Sequence, residues 1–488
     1  MNPSAGLLWV LFEILLMKTK KNIYINTIGC QMNVYDSGRI SSLLAAENYT
    51  PVSSFENADL VIVNTCAIRE KAVQKVHSFL GRMQALKKKK PFLTVVVAGC
   101  VAQQQGAALI ERFPQVNIVL GTHAIDQLPD LLRRVKADGQ PIVEVALTET
   151  IHEHPAHSVI PSVDREVTGF VTIMRGCDNY CTYCVVPYVR GREISRKPES
   201  IIAEIRAMVQ CGVKEITLLG QNVNSYGVKQ GLTSFPELLA RVNDIEGLER
   251  IRFVTSHPKD LSDQLIASFG RLNKLCNHIH LPVQSGANPV LKRMNRKYTR
   301  EAYLEKIDKL RRVSPAIAIS TDFIVGFPGE TDADFNDTID LMKTVKFDSL
   351  FAFEYSDRPE APAARFSDKI PSDVKYQRLQ TLLDLQKEIT TQNHAALIGQ
   401  VFPVLIEGES KNQMKKPEAG IIELSGRTSE NRIVNFAIPS DSLLDMDDLK
   451  GQIMNIRIEK AFLNSLRGIA VENQTEFLKP KRRHSHVA

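Results

Sequence analysis

The chain has 488 residues, of which 43% are hydrophobic and 24% are charged, and its formal net charge is +6. These values are typical of globular proteins and exclude a disordered, collagenous or membrane-embedded chain. The length predicts about two to four domains with full hydrophobic cores. Eight cysteines are too few for a disulfide scaffold, so crosslinking does not account for them.

The first apolar run, GLLWVLFEILL at residues 6–16, is too short to span a bilayer and contains Glu13. No basic residue precedes it and three lysines follow closely, which is the reverse of a secretory signal peptide. We therefore expect translation to start at Met17 and treat residues 1–20 as an N-terminal extension. A short membrane-associated helix is the alternative.

Three apolar, strand-like runs end at Cys30, Cys66 and Cys100, and a helical pattern follows each of them. The spacing between these cysteines fits one βαβ unit. Continuous apolar strands separated by helices predict a parallel α/β domain with both sheet faces covered, over residues 21–140. Functional groups gather beyond the carboxyl ends of such strands, so three equivalent strand ends can bring the thiols together as a second cluster site. The alternative is that they are ordinary buried core cysteines.

A proline-containing polar stretch at residues 141–164 predicts a linker. It includes His152, His154 and His157, which raise the question of a metal site. No other ligand types sit at matching spacing, so a polar loop is the preferred interpretation and a metal site is the alternative.

Six further strand-like runs alternate mostly with helical patterns and predict a partial (β/α)6 barrel over residues 165–396, with its chemistry at the carboxyl-end mouth. The runs start near Phe170, Glu215, Ile251, His278, Ile317 and Ser349, and a long helical stretch follows at 373–396. Short strands with polar turns then predict a small all-β barrel over residues 397–472. The basic tail at 473–488 is expected to be disordered, either solvated or in contact with phosphate.

The segment RGCDNYCTYC places Cys177, Cys181 and Cys184 within eight residues of one another. Three such thiolates can hold three irons of a 4Fe-4S cube and leave the fourth iron open. A zinc site would need a fourth protein ligand, and no Cys or His stands nearby, so an iron-sulfur cluster is favoured over zinc or unrelated core thiols. Two further cysteines, Cys211 near a helix end and Cys276 before a strand, are expected to be inert small hydrophobic residues.

With Tyr183 before its third cysteine, this motif resembles the radical S-adenosylmethionine (SAM) superfamily. Further segments, in consistent order from about residue 20 to 472, resemble the methylthiotransferase family of that group. They are TIGCQMNVYDS, VNTCAIREKA, AGCVAQQQG, LLGQNVNSYG, TSHP, HLPVQSG and TDFIVGFPGETDADF. The resemblance implies an N-terminal cluster domain, a central radical SAM barrel and a C-terminal RNA-binding barrel of the TRAM type.

The resemblance also implies two 4Fe-4S clusters and two SAM molecules per turnover. The six metal-ligating and catalytic residues would be Cys30, Cys66 and Cys100 for an auxiliary cluster, and Cys177, Cys181 and Cys184 for the radical SAM cluster. One SAM would methylate a sulfide on the auxiliary cluster. The other would yield a 5′-deoxyadenosyl radical that removes hydrogen from an unactivated carbon, which a side-chain acid or base cannot do. The substrate would then lie between the clusters.

The resemblance assigns SAM contact to Tyr183, next to the third motif cysteine, and to six positions at the ends of predicted barrel strands. These six are Gly220, Gln221, Asn222, Ser256, Gln284 and Gly326. For the polar members, loop capping or barrel-rim hydrogen bonding is an equally good interpretation. His257 and His280 are expected to be structural.

Within the family, the sequence details look most like the members that modify N6-isopentenyladenosine next to the tRNA anticodon. We therefore expect methylthiolation of carbon 2 of that base. The alternatives are threonylcarbamoyl-adenosine in tRNA, an aspartate of a ribosomal protein, or a non-catalytic iron-sulfur RNA-binding protein. The electron and sulfur donors stay unknown, and we expect no membrane partner, a monomer, and a reducing cytoplasmic location that preserves the thiolates.

Two basic runs bear on RNA binding. They are Lys87 to Lys90, and the group Lys292, Arg293, Arg296, Lys297 and Arg300. Such runs are usually solvated faces, so charge alone favours that interpretation over phosphate contact. The predicted TRAM barrel favours an RNA partner, and a single-stranded anticodon loop exposes the base edges that proteins can read.

Overall fold

The computed structural model describes residues 20–66, 70–151, 153, 166–411, 421–439 and 446–471. Almost all of the N-terminal extension with Met17, the three linker histidines (His152, His154, His157) and the basic tail lie outside the described residues. The chain forms two compact units, one comprising Met1–Ile160, Met174–Asp178 and Cys184–Ser200, and the other the remainder. The predicted domain boundaries stay a prediction.

The first unit contains a six-stranded, fully parallel sheet with strand order β2-β1-β3-β4-β5-β6. Its strands are β1 (Lys21–Ile28), β2 (Tyr49–Pro51), β3 (Leu60–Thr65), β4 (Thr94–Gly99), β5 (Ile118–Leu120) and β6 (Ile142–Glu144). Its helices are α1 (Gln31–Ala45), α2 (Glu70–Lys89), α3 (Cys100–Gln105), α4 (Ala108–Arg112), α5 (Leu128–Asp138) and α6 (Val186–Val189). The two-residue strands β8 (Met174–Arg175) and β9 (Ile194–Ser195) pair antiparallel.

Alternate residues of these strands enter two separate cores. Leu60 and Ile62 pack with α1 and α5, whereas Val61 and Val63 pack with α2. Residues on β3 and β4 are buried throughout, as a central strand with helices on both faces requires.

The second unit contains the six strands predicted for the barrel, in two three-stranded parallel sheets. These are β7 (Thr168–Thr172), β10 (Glu215–Leu219) and β11 (Arg250–Phe253), then β12 (His278–His280), β13 (Ala318–Val325) and β14 (Ser349–Glu354). A bridge from Ile251 to Leu275 leads from β11 toward β12. The helices are α7 (Pro198–Gln210), α8 (Phe235–Asn243), α9 (Asp263–Arg271), α10 (Asn288–Arg293), α11 (Arg300–Val313), α12 (Asp332–Val345) and α13 (Ser372–Ala395).

The C-terminal part of the second unit is a closed five-stranded barrel with order β15-β16-β17-β19-β18. It consists of β15 (Val401–Glu409), β16 (Ile421–Arg427), β17 (Ile433–Pro439), β18 (Ile453–Ala461) and β19 (Leu466–Ala470), with the short helix α14 (Met446–Leu449). Its interior includes Val404, Leu424, Phe436 and Ile456. The predicted fold class, including the partial (β/α)6 barrel and the small all-β barrel, is confirmed. None of the helices in the described ranges combines the length and apolar content needed to cross a bilayer.

Two buried arginines of β11 hold this small barrel against the larger one. Arg250 donates to the carbonyls of Arg427 (2.6 Å) and Pro403 (2.8 Å). Arg252 donates to the carbonyls of Thr428 (2.7 Å) and Ser429 (2.9 Å). Its charge is balanced by a buried ion pair with Glu215 at 2.8 Å.

We expect Arg252→Met to destabilise the protein by about 3–5 kcal/mol, because it leaves the Glu215 carboxylate buried without its cation. Adding Glu215→Leu to that variant should recover part of the loss. Urea unfolding followed by circular dichroism measures both effects, with exposed Arg271→Met as the control. Equal or greater destabilisation of the double variant would contradict this account.

Candidate functional site

Three cysteines lie at the carboxyl ends of three neighbouring strands of the first unit. Ile28, Thr65 and Gly99 are in register across β1, β3 and β4. Cys66 and Cys100 directly follow two of these residues, and the Cys66 N–H donates to the Ile28 carbonyl at 3.0 Å. Cys30 comes two residues after Ile28, with Gly29 between them. Since adjacent strands are about 4.8 Å apart, the three cysteines share one end of the sheet, as predicted.

Glycines and amides make this close approach possible. A Cβ on Gly29 would lie 2.2 Å from the Asn33 side chain and 3.0 Å from the Cys66 Cβ. Gly99 has φ +89°, and a Cβ there would lie 2.5 Å from the Thr65 carbonyl oxygen. The Asn33 amide donates to Asn64 (3.0 Å) and to the Thr65 carbonyl (3.1 Å), which ties the start of α1 to the end of β3.

The thiols interact with one another and with a buried cation. A hydrogen bond from the Cys66 thiol and the positive charge of Arg190 lower the pKa of Cys30 to about 6, against the opposing effect of burial. The Arg190 guanidinium also hydrogen-bonds Cys100. Burial alone would lower the pKa of Arg190, but the negative charges of Cys100, Asp36 and Cys30 outweigh it and raise that pKa.

Arg190 is held firmly from both of its ends. Its guanidinium donates to the Asp36 carboxylate at 3.0 Å, and both side chains are less than a tenth exposed. The Arg190 carbonyl accepts a hydrogen bond from Nε2 of His123 at 3.0 Å. The His123 Nδ1 accepts from the Thr148 N–H at 2.8 Å. Burial and the charge of Arg175 lower the pKa of His123 to about 4, so its ring is neutral near pH 7.

Sequence reasoning missed Arg190, Asp36 and His123 as parts of this site. Arg190 and Asp36 are 154 residues apart in the chain, so no local spacing reveals their contact. Asp36 stands in TIGCQMNVYDS, a segment noted for the family resemblance, and Arg190 comes six residues after Cys184. The sequence signal for Arg190 and Asp36 was therefore their position within or close to the segments that carry the cysteines.

The donor set fits an iron-sulfur cube better than a single ion. Across the described ranges, no three His, Cys, Asp or Glu side chains converge as a mononuclear metal site requires. A zinc site would need all its thiolates at about 2.3 Å from one point, whereas a cube binds each thiolate to a different iron. A lowered cysteine pKa and a buried cation beside the sulfurs both favour the thiolate form that such a cluster needs.

Two cysteines of the CxxxCxxC motif belong to the first unit. The Cys177 N–H donates to the Gly191 carbonyl at 3.3 Å. The Cys184 sulfur accepts from the Val186 N–H at 3.4 Å, at the start of α6. Backbone donors to sulfur are typical of cysteines that ligate iron-sulfur clusters.

The middle cysteine of the motif belongs to the second unit and contacts a buried arginine. Arg296 donates to the Cys181 sulfur at 3.4 Å and to the Tyr183 hydroxyl at 3.3 Å. It also donates to the Pro282 carbonyl at 2.6 Å. Arg296 is 4% exposed, so the expectation of a solvated basic face is wrong at this position.

The other basic residues of these runs differ in their surroundings. Arg293 pairs with Asp368 at 2.8 Å, and Arg300 pairs with Asp340. Lys87 donates to the Gln115 carbonyl at 2.9 Å. These three side chains are therefore engaged within their own units.

Residues predicted to contact SAM lie where β10 and β11 end. Asn222 is buried and ties the two loops together, since its amide donates to Asp260 (2.7 Å) and its oxygen accepts from the His257 N–H (3.1 Å). Gly220 and Gln221 precede it at the end of β10. Ser256 is 4% exposed, and its hydroxyl has no hydrogen-bond partner among the described residues.

Two more buried polar atoms near these loops lack a partner within the described ranges, namely Nε2 of His257 and Oδ1 of Asn224. Burial, and then the charge of Arg296, lower the pKa of His257 to about 2, so the ring is neutral. Each unpaired buried polar atom costs about 1–3 kcal/mol, which a bound polar ligand would recover. Ser256, His257 and Asn224 thus fit a ligand such as SAM.

The remaining predicted SAM positions lie at the end of β13 and beside it. Gln284 is buried with φ +75° and bridges to Phe323. The Gly326 N–H donates to the buried Glu330 carboxylate at 2.7 Å. Tyr183 packs against the apolar cluster that includes Phe327. Gln284 and Gly326 therefore stand near strand ends, as predicted, and Tyr183 lies in the cysteine loop after β8. Contact of these three residues with SAM stays a prediction.

The two comparison cysteines differ from each other. Cys276 is 2% exposed, and burial raises its pKa to about 11, as expected of an inert core thiol. Cys211 is exposed and directly follows the end of α7, near a helix end as predicted.

Three family models match the chain in sequence order. The uncharacterized protein family UPF0004 matches residues 22–121, the radical SAM superfamily matches 171–342, and the TRAM domain matches 395–471. The structure of the radical SAM methyltransferase TsrM from Kitasatospora setae, with cobalamin and a [4Fe-4S] cluster bound, superposes with a TM-score of 0.53. That match covers 71% of this chain and 74% of that chain at 14% identity, which shows a shared fold only.

Curated relatives match almost the whole chain. A tRNA-2-methylthio-N(6)-dimethylallyladenosine synthase from Desulfosudis oleivorans is 54% identical over 452 residues, which are 92% of this chain and 97% of the relative. One from Syntrophus aciditrophicus is 49% identical over 92% of this chain and 94% of its own length. This chain therefore belongs to the family of tRNA-2-methylthio-N(6)-dimethylallyladenosine synthases and is an enzyme of the radical SAM superfamily.

Proposed function

We propose that this enzyme adds a methylthio group to carbon 2 of N6-isopentenyladenosine next to the anticodon of tRNA. The observation that carries the proposal is the convergence of Cys30, Cys66 and Cys100 beside Arg190, in a chain that also holds a separate CxxxCxxC motif. One trio of thiols suffices to hold the cluster that forms the radical. Insertion of sulfur needs a second trio, which holds a cluster that supplies the sulfur. The names of the relatives above support the choice of base.

We assign Cys30, Cys66 and Cys100 as ligands of an auxiliary 4Fe-4S cluster. Cys177, Cys181 and Cys184 are assigned to the radical SAM cluster. When bound, these clusters and two SAM molecules supply the sulfur, the methyl group and the carbon-centred radical of the reaction.

The chain's own residues hold and tune the sulfur ligands. Arg190 keeps positive charge beside Cys30 and Cys100 and lowers the pKa of Cys30, which favours the thiolate form of that residue. Asp36 and the neutral His123 fix Arg190 in place. In the second unit, Arg296 donates to the Cys181 sulfur and orients it.

The C-terminal barrel carries features that suit an RNA partner. Arg457 on β18 is exposed, Arg467 on β19 has a side chain 51% exposed, and Phe462 between these strands is 53% exposed. Cations bind phosphate, and exposed aromatic rings stack on unpaired bases. We place the enzyme in the cytoplasm, where thiolates stay reduced, and expect it to act as a monomer.

Reconstituted wild-type enzyme should bind about eight irons per chain, as two four-iron clusters require. Cys66→Ala should lower this to about four and abolish product, because one cluster loses a ligand. The matched control Cys211→Ser, at an exposed cysteine outside both trios, should keep both values. Iron analysis and mass spectrometry of tRNA nucleosides measure the two outcomes. A wild-type enzyme that methylthiolates only threonylcarbamoyl-adenosine or a ribosomal aspartate would refute the proposed substrate.

The charge pair beside the auxiliary trio should set the potential of its cluster. A cube held by three thiolates is anionic and becomes more so on reduction, so a nearby cation favours the reduced form. Arg190→Gln should lower the midpoint potential, and Asp36→Asn should raise it. Redox titration followed by electron paramagnetic resonance measures this in full-length protein with Cys177, Cys181 and Cys184 replaced by alanine.

Arg133→Gln serves as the control for that titration, because its side chain is 60% exposed and pairs with Glu47 on the surface of the same unit. If Arg190 and Asp36 had only a structural role, their variants would not shift the midpoint potential in opposite directions. Shifts of the same sign for both variants would therefore rule out the electrostatic account.

Ser256→Ala should weaken SAM binding by about 10- to 150-fold, as expected for one lost hydrogen bond to a charged ligand. Stability without SAM should not fall, since the hydroxyl makes no hydrogen bond to the described residues. The matched control is Ser268→Ala, whose buried hydroxyl bonds the Gln264 carbonyl within α9. Equilibrium dialysis with SAM measures the binding, and an unchanged dissociation constant would remove Ser256 from the SAM site.

A further inference from the structure

The sheet formed by β12, β13 and β14 has one apolar face and one polar face. Ile279, Thr321 and Phe323 are fully buried, and Phe323 packs edge-on against Phe347. Phe347 in turn lies near Tyr303 of α11. This face therefore packs toward the helices, and the opposite face forms the concave inner side of the strand array.

The inner face carries five side chains in register, which are His278, His280, Ser320, Asp322 and Phe351. The Ser320 hydroxyl lies 3.1 Å from Nε2 of His278 and 3.0 Å from Nδ1 of His280. The His280 Nε2 lies 3.5 Å from the Asp322 carboxylate. Phe351 is paired with Asp322 across β13 and β14, and its ring meets the His280 ring at 74°.

The part of this face around His278 is buried, whereas the part around Asp322 and Phe351 is partly exposed. Burial and the charges of Arg252, Arg432 and Arg427 lower the pKa of His278 far enough to keep it neutral. In contrast, the side chain of Asp322 is 26% exposed and Phe351 is 54% exposed. An aromatic ring that is more than half exposed lies here beside a partly exposed carboxylate on the inner barrel face, and this combination points to a ligand.

This open part lies close to the residues assigned to SAM. Asp322 stands four residues before Gly326 on the same chain segment, a separation of about 13 Å for an extended strand. The Gln284 N–H donates to the Asp322 carbonyl at 2.9 Å. A ligand on Asp322 and Phe351 would thus lie directly below the carboxyl ends of the strands.

We propose that this inner face binds the adenine ring of the target nucleoside, with Asp322 accepting the N6–H and Phe351 stacking on the ring. His280 orients the carboxylate, and Ser320 orients His280. An adenine substituted once at N6 keeps one N6–H donor, which a carboxylate oxygen accepts well. Proteins that recognise single-stranded nucleic acids bind unpaired bases by stacking them on aromatic rings. This inference rests on the proposed function and deepens it.

The test of Asp322 uses an anticodon stem-loop with N6-isopentenyladenosine and a second with an added N6-methyl group, which removes the N6–H. Wild-type holoenzyme should bind the second about tenfold more weakly by fluorescence anisotropy. Asp322→Ala should bind both equally and weakly, whereas Asp322→Asn, which keeps an acceptor oxygen, should retain part of the preference. The control Asp337→Ala, at a surface residue of α12, should behave like wild type. Full discrimination by Asp322→Ala would overturn the inference.

Phe351 is tested by the yield of methylthio product per 5′-deoxyadenosine formed. Phe351→Leu should lower this ratio about fivefold or more, whereas Phe351→Tyr, which keeps the ring, should restore it. Tyr376→Leu, at a 60% exposed aromatic residue of α13, is the control. Equal ratios for the leucine and tyrosine variants would overturn the role of Phe351. A wild-type enzyme that makes no methylthio product would instead refute the proposed function.

Discussion

The in-register pairing of β1, β3 and β4 is the constraint on which the rest of the N-terminal site depends. Because these strands end at one level, residues far apart in the chain meet at a single edge. A one-residue change in strand length would displace a thiol by about 3.3 Å and turn it to the opposite face of the sheet. Gly29 and Gly99 are required for the same reason, since each leaves space that a neighbouring strand end occupies.

Buried arginines recur beside the sulfur ligands of both units. Arg190 contacts Cys100 and pairs with Asp36. Arg296 contacts Cys181 and donates to Tyr183, Tyr298 and the Pro282 carbonyl, none of which is acidic. A buried guanidinium is costly unless negative charge faces it. Anionic clusters would provide that charge, so the two arginines and the two thiol trios explain one another.

The sequence predicted the features that depend on local pattern. Apolar runs and their spacing located the six barrel strands, and each run ending at a cysteine located the shared sheet edge. The sequence did not predict long-range contacts such as the one between Arg190 and Asp36, because these residues meet only after the sheet has formed. Arg296 illustrates the opposite error, because a basic run looks solvated until the fold buries one member. The open inner face with Asp322 and Phe351 also depends on register between separate strands, which no single segment encodes.

The two β11 arginines contact the small barrel only through main-chain oxygens in the hydrogen bonds described. Carbonyls are present whatever the side chain, so Arg250 and Arg252 recognise the shape of the 427–429 loop rather than its composition. The Ser429 side chain adds a contact of its own, since its hydroxyl accepts from the Asn277 N–H at 2.8 Å. Natural drift in that loop should therefore be tolerated where its backbone path and this serine are kept. A barrel exchanged from a relative would also have to keep Arg432, which pairs with Asp348 of the larger barrel at 2.7 Å. With those few positions conserved, the C-terminal barrel becomes a natural unit for building chimaeras.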